Sequence, residues 1–146
     1  MAPRYQNPAL TVDAIWIHRG RVLLVRRGRT PFRGYWAFPG GFVEQRETVE
    51  AALSRELFEE TGLRGSAGAI VGVYSGPDRD PRKPTTSIAY LVRGRPAPPR
   101  AGDDAAGAAW VPLEEAAPLA FDHGRMLADA RRLLERARRR SGRRGR

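Results

Sequence analysis

The sequence lacks cysteine entirely and contains only two histidines, His18 and His123, among its 146 residues. Without cysteine, neither a disulfide bond nor a thiolate metal site is possible. Two histidines are too few for a multi-histidine zinc centre, so carboxylates would have to bind any metal ion. A chain of this length is expected to form one domain that buries about two thirds of its unfolded surface.

Long hydrophobic segments are also lacking. No run of about 18 apolar residues is present, and no segment has the pattern of a signal peptide. A membrane-spanning helix is therefore not expected. We expect a cytoplasmic protein with no membrane partner.

Lysine is almost absent, with one lysine against 25 arginines, and the chain carries a net charge of +10. Residues 131–146 contain nine arginines and one glutamate, so the other 130 residues carry only +2. Such a segment can contact nucleic acid through nonspecific charge, but a solvated helix end and a disordered terminus form the simpler interpretation. We expect a single domain at residues 1–136 and a disordered basic tail at 137–146, with no specific nucleic-acid partner.

Carboxylates are concentrated in residues 41–63, which read GFVEQRETVEAALSRELFEETGL. Nothing from Thr48 to Thr61 interrupts a helix, and the alanines, leucines and glutamates of this stretch favour one. Gly62 follows at the position where a left-handed C-terminal cap residue is expected. The segment therefore predicts a loop that leads into a helix ending at Thr61.

Two of these glutamates, Glu56 and Glu60, lie on the predicted core-facing side of the helix. At about 100° per residue they are separated by about 40°, and Ala52, Leu53 and Leu57 share their side. Two ionised carboxylates in that position repel each other and lose hydration unless a cation compensates. A solvated acidic face paired with arginines is the alternative, but the direction of the two side chains favours a metal site. Oxygen ligands of this kind suit Mg²⁺.

The same segment resembles the signature box of the Nudix hydrolases, and the preceding WAFPGG is similar to the strand end that usually comes before that box. Every fixed position of the box is satisfied, and these positions are Gly41, Glu47, Arg55, Glu56, Glu59, Glu60, Gly62 and hydrophobic residues at 57 and 63. The resemblance implies an α+β fold, an α/β/α sandwich around a mixed β-sheet. It also implies hydrolysis of a nucleoside diphosphate linked to another group.

The resemblance further implies a set of metal ligands. Glu56 and Glu60 would bind the ion, and the carbonyl of Gly40 would complete part of the shell. Glu59 would be a further ligand or would orient the attacking water. The expected cofactor is Mg²⁺, with Mn²⁺ as the alternative.

The resemblance assigns the remaining catalytic roles to residues of this chain less completely. Arg55 would support the acidic residues through an ion pair with Glu47. The general base stays open, because family members take it either from the helix or from a distant loop. The loop candidates here are Asp103 and Asp104, of which we take Asp104 as the catalytic candidate, and a plain polar turn is the alternative.

Outside this helix, the pattern predicts several strands and a second helix that begins after Asp122. The strand-like segments are residues 9–17 and 21–27, which read as a hairpin, and residues 36–38, 69–75, 86–92 and 108–111. Periodicity alone fits either an α+β or an α/β sandwich.

Two further segments point to the substrate. VYSGPDRDPR (residues 73–82) and LAFDHGRML (residues 119–127) resemble parts of one branch of the family, the small ADP-ribose pyrophosphatases. This branch implies that ADP-ribose, a small-molecule nucleotide, is hydrolysed to AMP and ribose 5-phosphate.

If the branch is right, three arginines are candidates for binding the phosphates or the terminal ribose, because arginine binds phosphate oxygens in a bidentate manner. These are Arg26, Arg79 and Arg82. Trp36 is the candidate for stacking on adenine, as are Phe32 and Tyr35, although each such ring is more often a packing residue.

Other functions stay open at this point. A Nudix hydrolase of another nucleoside diphosphate derivative, or of a damaged nucleoside triphosphate, would share the box and release other products. A non-catalytic sensor of ADP-ribose-type ligands would normally add a DNA-binding domain, for which this chain offers no room. A homodimer is also possible.

Overall fold

The computed structural model describes residues 4–102 and 105–145. In chain order its strands are β1 (Ala9–Ile15), β2 (Ile17–His18), β3 (Arg21–Arg27), β4 (Trp36–Ala37), β5 (Gly40–Phe42), β6 (Gly65–Tyr74), β7 (Thr85–Gly94) and β8 (Ala105–Pro112). The helices are α1 (Val49–Thr61) and α2 (His123–Arg144), and Leu113–Glu115 form a 3-10 turn.

The strands form two sheets. The first has the order β5-β1-β7-β6, in which β1 and β7 are parallel and the other pairs are antiparallel. The second contains β2, β3 and β4, with β8 also paired to β3. The backbone N–H of Leu23 donates to the carbonyl of Trp16 at 3.0 Å, which joins the two sheets. The predicted mixed sheet is thus confirmed, but the hairpin of residues 9–27 is limited to the short β2–β3 pair because β1 pairs with β5 and β7.

Side chains alternate between the two faces of each strand, so each face can pack against a helix. Val12 and Ala14 of β1 pack with α1, whereas Ile15 packs with α2. The same alternation in β3 sends Leu23 to the α1 side and Leu24 to the α2 side. The result is the α/β/α arrangement expected from the sequence.

Helix α1 ends at Thr61 as predicted and begins at Val49, with Thr48 as its N-terminal cap rather than its first residue. The Thr48 side chain accepts a hydrogen bond from the N–H of Ala51 at 3.0 Å, which satisfies a free donor of the first turn. At the other end Gly62 has a φ of 73°, and its N–H donates to the carbonyl of Phe58 at 2.8 Å. These caps hold the carboxylates of α1 in a defined register.

Helix α2 is longer than predicted. It extends to Arg144, so residues 137–144 are helical and the prediction of a disordered tail there is wrong. Alanine, leucine and arginine favour a helix, the Glu135–Arg139 pair lies one turn apart at 3.0 Å, and arginines in the last turn complement the helix dipole. Among the described residues, no helix is both long enough and apolar enough to cross a membrane.

Candidate active site

A cleft of about 220 Å³ opens between the end of β3, strand β5, the last turn of α1 and the loop that joins β6 to β7. Its lining includes carboxylates from Asp13, Glu60 and Asp80. Arginines from β3, from the segment just after it and from the β6–β7 loop line it as well, namely Arg26, Arg27, Arg29, Arg79 and Arg82. The cleft therefore presents acids and arginines to the same space.

Arg55 organises the acidic residues beside this cleft. Its Nε and Nη2 atoms donate to the two carboxylate oxygens of Glu47, at 2.7 and 2.9 Å. Its Nη1 atom donates to Glu56 at 2.8 Å and to Glu59 at 3.3 Å. The guanidinium group lowers the pKa of Glu47 to about 2, and the hydrogen bond to Glu47 raises the pKa of Arg55. The expected ion pair between Arg55 and Glu47 is present, and the supporting role of Arg55 in the reaction stays a prediction.

The carboxylate of Glu56 is packed closely against Gly41. A Cβ atom on Gly41 would lie 2.5 Å from Oε1 of Glu56, which no side chain can tolerate without a shift. The Glu56 side chain is only 15% exposed. Burial raises its pKa, although the hydrogen bond from Arg55 opposes that shift. Glu56 is thus a desolvated acid next to the β5 backbone.

Glu60 lies deeper, at the cleft itself. Its Oε2 atom accepts a hydrogen bond from the N–H of Gly40 at 3.1 Å. Burial raises the pKa of Glu60 to about 8, and the negative charges of Glu56 and Asp13 add to this shift, whereas the bond from Gly40 opposes it. An acid in these surroundings is stabilised in its charged form by a cation.

The donor set fits a divalent cation of the Mg²⁺ or Mn²⁺ type. Glu56, Glu60 and the backbone of Gly40 offer hard oxygen atoms, and burial raises the pKa of both carboxylates. In the part of the chain that the structure describes, no three acidic or histidine side chains surround one point. The set therefore depends on backbone, water or substrate oxygens for its remaining ligands.

Glu59, the other predicted ligand, lies on the solvent side of α1. Its side chain is 56% exposed and accepts a hydrogen bond from Arg55. It does not line the cleft. Its predicted metal or water-orienting role stays a prediction.

Three of the four candidate substrate-binding residues line the cleft, and Trp36 does not. Arg26 lines the cleft, and its guanidinium lies over the ring of Trp36 at 4.5 Å. Trp36 itself is not among the cleft residues and packs against the core beside α2. Trp36 therefore supports an arginine of the cleft and packs the core.

Arg79 and Arg82 both line the cleft, and each is bound to a carboxylate. Arg79 donates to both oxygens of Asp122 at 2.9 and 2.7 Å, so Asp122 makes no capping bond to α2. Arg82 donates to Asp80 at 3.1 and 2.8 Å. These pairs hold the arginines of the β6–β7 loop in place.

Several residues that line the cleft are missing from the predicted site, among them Asp13, Arg27, Phe121 and His123. Arg27 lies over the ring of Phe121 at 4.8 Å, and Phe121 has a φ of 51°, a conformation that side chains rarely adopt. The segment LAFDHGRML, which contains Phe121 and His123, carried a signal because it matched the ADP-ribose branch. Asp13 and Arg27 had no such signal, since each lies in a stretch that reads as an ordinary strand.

The loop candidates for the general base, Asp103 and Asp104, lie outside the described residues. The neighbouring Gly102 donates from its N–H to the carbonyl of Glu60 at 3.0 Å, and Ala105 lines the cleft. A Cβ atom on Gly102 would lie 2.1 Å from the carbonyl of Glu59. The assignment of Asp104 as the base stays a prediction.

Comparisons with known proteins agree on one family. The family model described as the NUDIX domain matches residues 7–130. The chain is 45% identical over 125 residues to an ADP-ribose pyrophosphatase of Methanocaldococcus jannaschii, which covers 86% of this chain and 74% of that protein. It is 35% identical over 136 residues to the ADPR responsive transcriptional repressor NtrR of Acinetobacter baylyi, of which it spans only 54%.

Solved structures give the same result. The NUDIX domain of Shewanella oneidensis NrtR complexed with ADP ribose superposes with a TM-score of 0.81 at 29% identity, covering 89% of this chain and 90% of that one. A bifunctional NMN adenylyltransferase/ADP ribose pyrophosphatase of Francisella tularensis, complexed with AMP and a Mn ion, has a TM-score of 0.73 at 31% identity. It covers 92% of this chain and 43% of that one.

Proposed function

Because this chain belongs to the Nudix family and is a Nudix hydrolase, we propose that it hydrolyses the pyrophosphate bond of ADP-ribose, releasing AMP and ribose 5-phosphate. The substrate proposal is supported by the 45% identity to an ADP-ribose pyrophosphatase and by the likeness to a domain complexed with ADP ribose. The site proposal has a separate basis in the charges of the cleft.

The observation that carries the proposal is the approach of two arginines to each other. The guanidinium groups of Arg27 and Arg82 lie against the same ring, that of Phe121, at 4.8 and 5.8 Å. Burial lowers the pKa of Arg27, and the positive charge of Arg82 lowers it further. Asp80 pairs with Arg82, and the charges of Asp80 and Glu60 raise the pKa of Arg27 in opposition to these effects. A diphosphate in the cleft would supply further oxygen atoms for both arginines.

The acidic side of the cleft complements this arrangement. We assign Glu56, Glu60 and the carbonyl of Gly40 to the cation, and Arg55 with Glu47 to the support of Glu56. A divalent cation bound there would polarise a phosphoryl oxygen and lower the pKa of a bound water. Arg27 and Arg82 would hold the diphosphate, Arg26 and Arg79 would border the substrate, and Asp104 remains the candidate base.

A substrate panel tests the proposal. ADP-ribose, NADH, diadenosine polyphosphates and oxidised dGTP are each incubated with the protein in the presence and absence of Mg²⁺, and the products are identified. We expect release of AMP from ADP-ribose that requires the metal and exceeds turnover of the other compounds. Preferred turnover of another compound would contradict the substrate and leave the hydrolase intact.

A sensor function is the second candidate, because the chain is also similar to a repressor that responds to ADPR. Against it, the box keeps every carboxylate expected of it, at Glu47, Glu56, Glu59 and Glu60, and a sensor could lose these. Isothermal titration with ADP-ribose separates the two functions. Binding of ADP-ribose without any metal-dependent turnover would favour the sensor.

A further inference from the structure

A cluster of three buried polar side chains, two of which line the cleft, joins three elements. Asp13 of β1 is 7% exposed, Ser87 of β7 is fully buried and His123 of α2 is 4% exposed. The hydroxyl of Ser87 donates to Oδ2 of Asp13, and Nε2 of His123 faces Oδ1 of Asp13 at 3.5 Å. Buried polar groups of this kind are costly unless they are paired, so their arrangement calls for an explanation.

His123 makes one contact that leads directly to the site. Its Nδ1 atom accepts a hydrogen bond from the backbone N–H of Phe38 at 3.2 Å, and the two rings stack at 5.1 Å. An accepting Nδ1 leaves the proton on Nε2, the atom that faces Asp13. Burial lowers the pKa of His123, which agrees with a neutral ring.

Phe38 lies in the gap between β4 and β5, so its N–H has no partner in either strand ladder. The next residue, Pro39, has a restricted φ and accepts from the N–H of Ala14 at 2.8 Å. Gly40 follows, and its N–H donates to Glu60. A shift of Phe38 would therefore displace Gly40, two residues further along the chain, whose N–H binds Glu60.

Gly40 lies so close to β1 that there is no space for a side chain. A Cβ atom there would lie 2.2 Å from the carbonyl of Val12 and 2.7 Å from Oδ1 of Asp13. Asp13 and Gly40 are also direct partners in the β1–β5 pair. The cluster of Asp13, Ser87 and His123 thus borders Gly40 on one side, and Glu60 binds it on the other.

We propose that His123 is a positioning residue, whose Nδ1 atom anchors Phe38 and thereby sets the place of Gly40 against Glu60. The part of this inference that concerns the cation rests on the proposed function, in which Gly40 and Glu60 belong to the metal site. The part that concerns the Gly40–Glu60 contact is independent of the proposed function. Each part has its own readout.

The test uses two variants that each keep one half of the imidazole. His123→Asn keeps an acceptor close to the place of Nδ1 and loses the group that faces Asp13. His123→Gln keeps a donor close to the place of Nε2 and loses the acceptor for Phe38. The readouts are hydrogen exchange of the Gly40 amide in metal-free protein and the affinity for Mn²⁺ alone, measured by water-proton relaxation.

We expect His123→Gln to speed exchange of the Gly40 amide and to weaken Mn²⁺ binding about 10- to 100-fold, the range seen when the partner of a ligand is removed. In His123→Asn, both readouts should stay closer to those of the unaltered protein than they do in His123→Gln. Tyr74→Phe is the matched control, because it removes a hydrogen bond between β6 and α2 away from the cleft. It should leave the Mn²⁺ affinity unchanged even though it destabilises the fold.

Equal effects of the Asn and Gln variants would overturn the proposal, since they would indicate a packing role only. Unchanged exchange of the Gly40 amide in His123→Gln would overturn it as well. If the unaltered protein binds no Mn²⁺ and hydrolyses no ADP-ribose, the proposed function fails. In that case the exchange of the Gly40 amide still decides whether His123 positions this segment.

Discussion

At the scale of single residues, Glu56 and Glu60 are distinguished from Glu59 by what surrounds their carboxylates. Glu56 packs on Gly41 and Glu60 accepts from Gly40, whereas Glu59 is largely exposed. Charge removal at the buried pair should therefore affect the reaction far more than at Glu59.

The first prediction concerns these acids. Glu56→Gln or Glu60→Gln should lower kcat for ADP-ribose on the order of 10²- to 10³-fold, since each removes a metal-binding charge worth several kcal/mol without changing shape. Circular dichroism should show an intact fold. Glu59→Gln serves as the exposed comparison, and near-normal turnover in both buried variants would refute the metal assignment.

A second residue-scale prediction uses Gly41. Gly41→Ala places a methyl group where the Glu56 carboxylate now lies, so this carboxylate must move and metal-dependent turnover should fall at least about tenfold. Gly142→Ala is the control, because a Cβ there meets nothing within 4 Å. Equal kinetics of the two variants would show that the position of Glu56 is not critical.

At the scale of elements, the caps of α1 set the register of its acids. Thr48→Ala should lower the free energy of unfolding by about 1 kcal/mol, because the N–H of Ala51 loses its acceptor. Thr48→Ser keeps the oxygen and should retain most of the stability. Urea unfolding of the three proteins gives the comparison, and identical midpoints would mean that water replaces the cap without cost.

The contact between β6 and α2 predicts a pH dependence of stability. The Tyr74 hydroxyl donates to Asp129 at 2.7 Å, and this bond lowers the pKa of Asp129 below its ordinary value of 3.8. A lowered carboxyl pKa stabilises the fold above the unfolded pKa, and that contribution is lost as the pH falls through the folded pKa.

Tyr74→Phe should therefore lower the free energy of unfolding by about 1 kcal/mol near pH 7. The difference from the original protein should shrink as the pH falls below about 4, where unfolded carboxyl groups become protonated. Urea unfolding at a series of pH values measures it. A difference that stays constant down to pH 3 would attribute the effect to packing of the hydroxyl rather than to the charge of Asp129.

At the scale of the whole molecule, the basic end of α2 is separate from the cleft. Residues 137–145 do not line the cleft, and most of them are exposed. Deletion of residues 137–146 should therefore leave kcat/KM for ADP-ribose essentially unchanged. A large loss, together with a changed mass in light scattering, would instead make this segment part of a dimer contact that completes the site.

Several features followed from the sequence by itself. The end of α1 at Thr61 and its cap at Gly62 depend on neighbouring residues, where the local sequence predicts position. The pairing of Arg55 with Glu47 was expected from the family resemblance of the same segment. Strand β3 was likewise predicted with its observed bounds, because the apolar run RVLLVRR has clear limits at Gly20 and Gly28.

Only the tertiary structure brought Asp13, Ser87 and His123 together behind Gly40, since the bond from Phe38 to His123 joins residues 85 positions apart. It also decided that Arg27 and Arg82 meet at Phe121, and that β1 pairs with β5 and β7 rather than with its neighbour in sequence. Such contacts depend on the packing of distant elements, and local propensity and spacing carry no information about them.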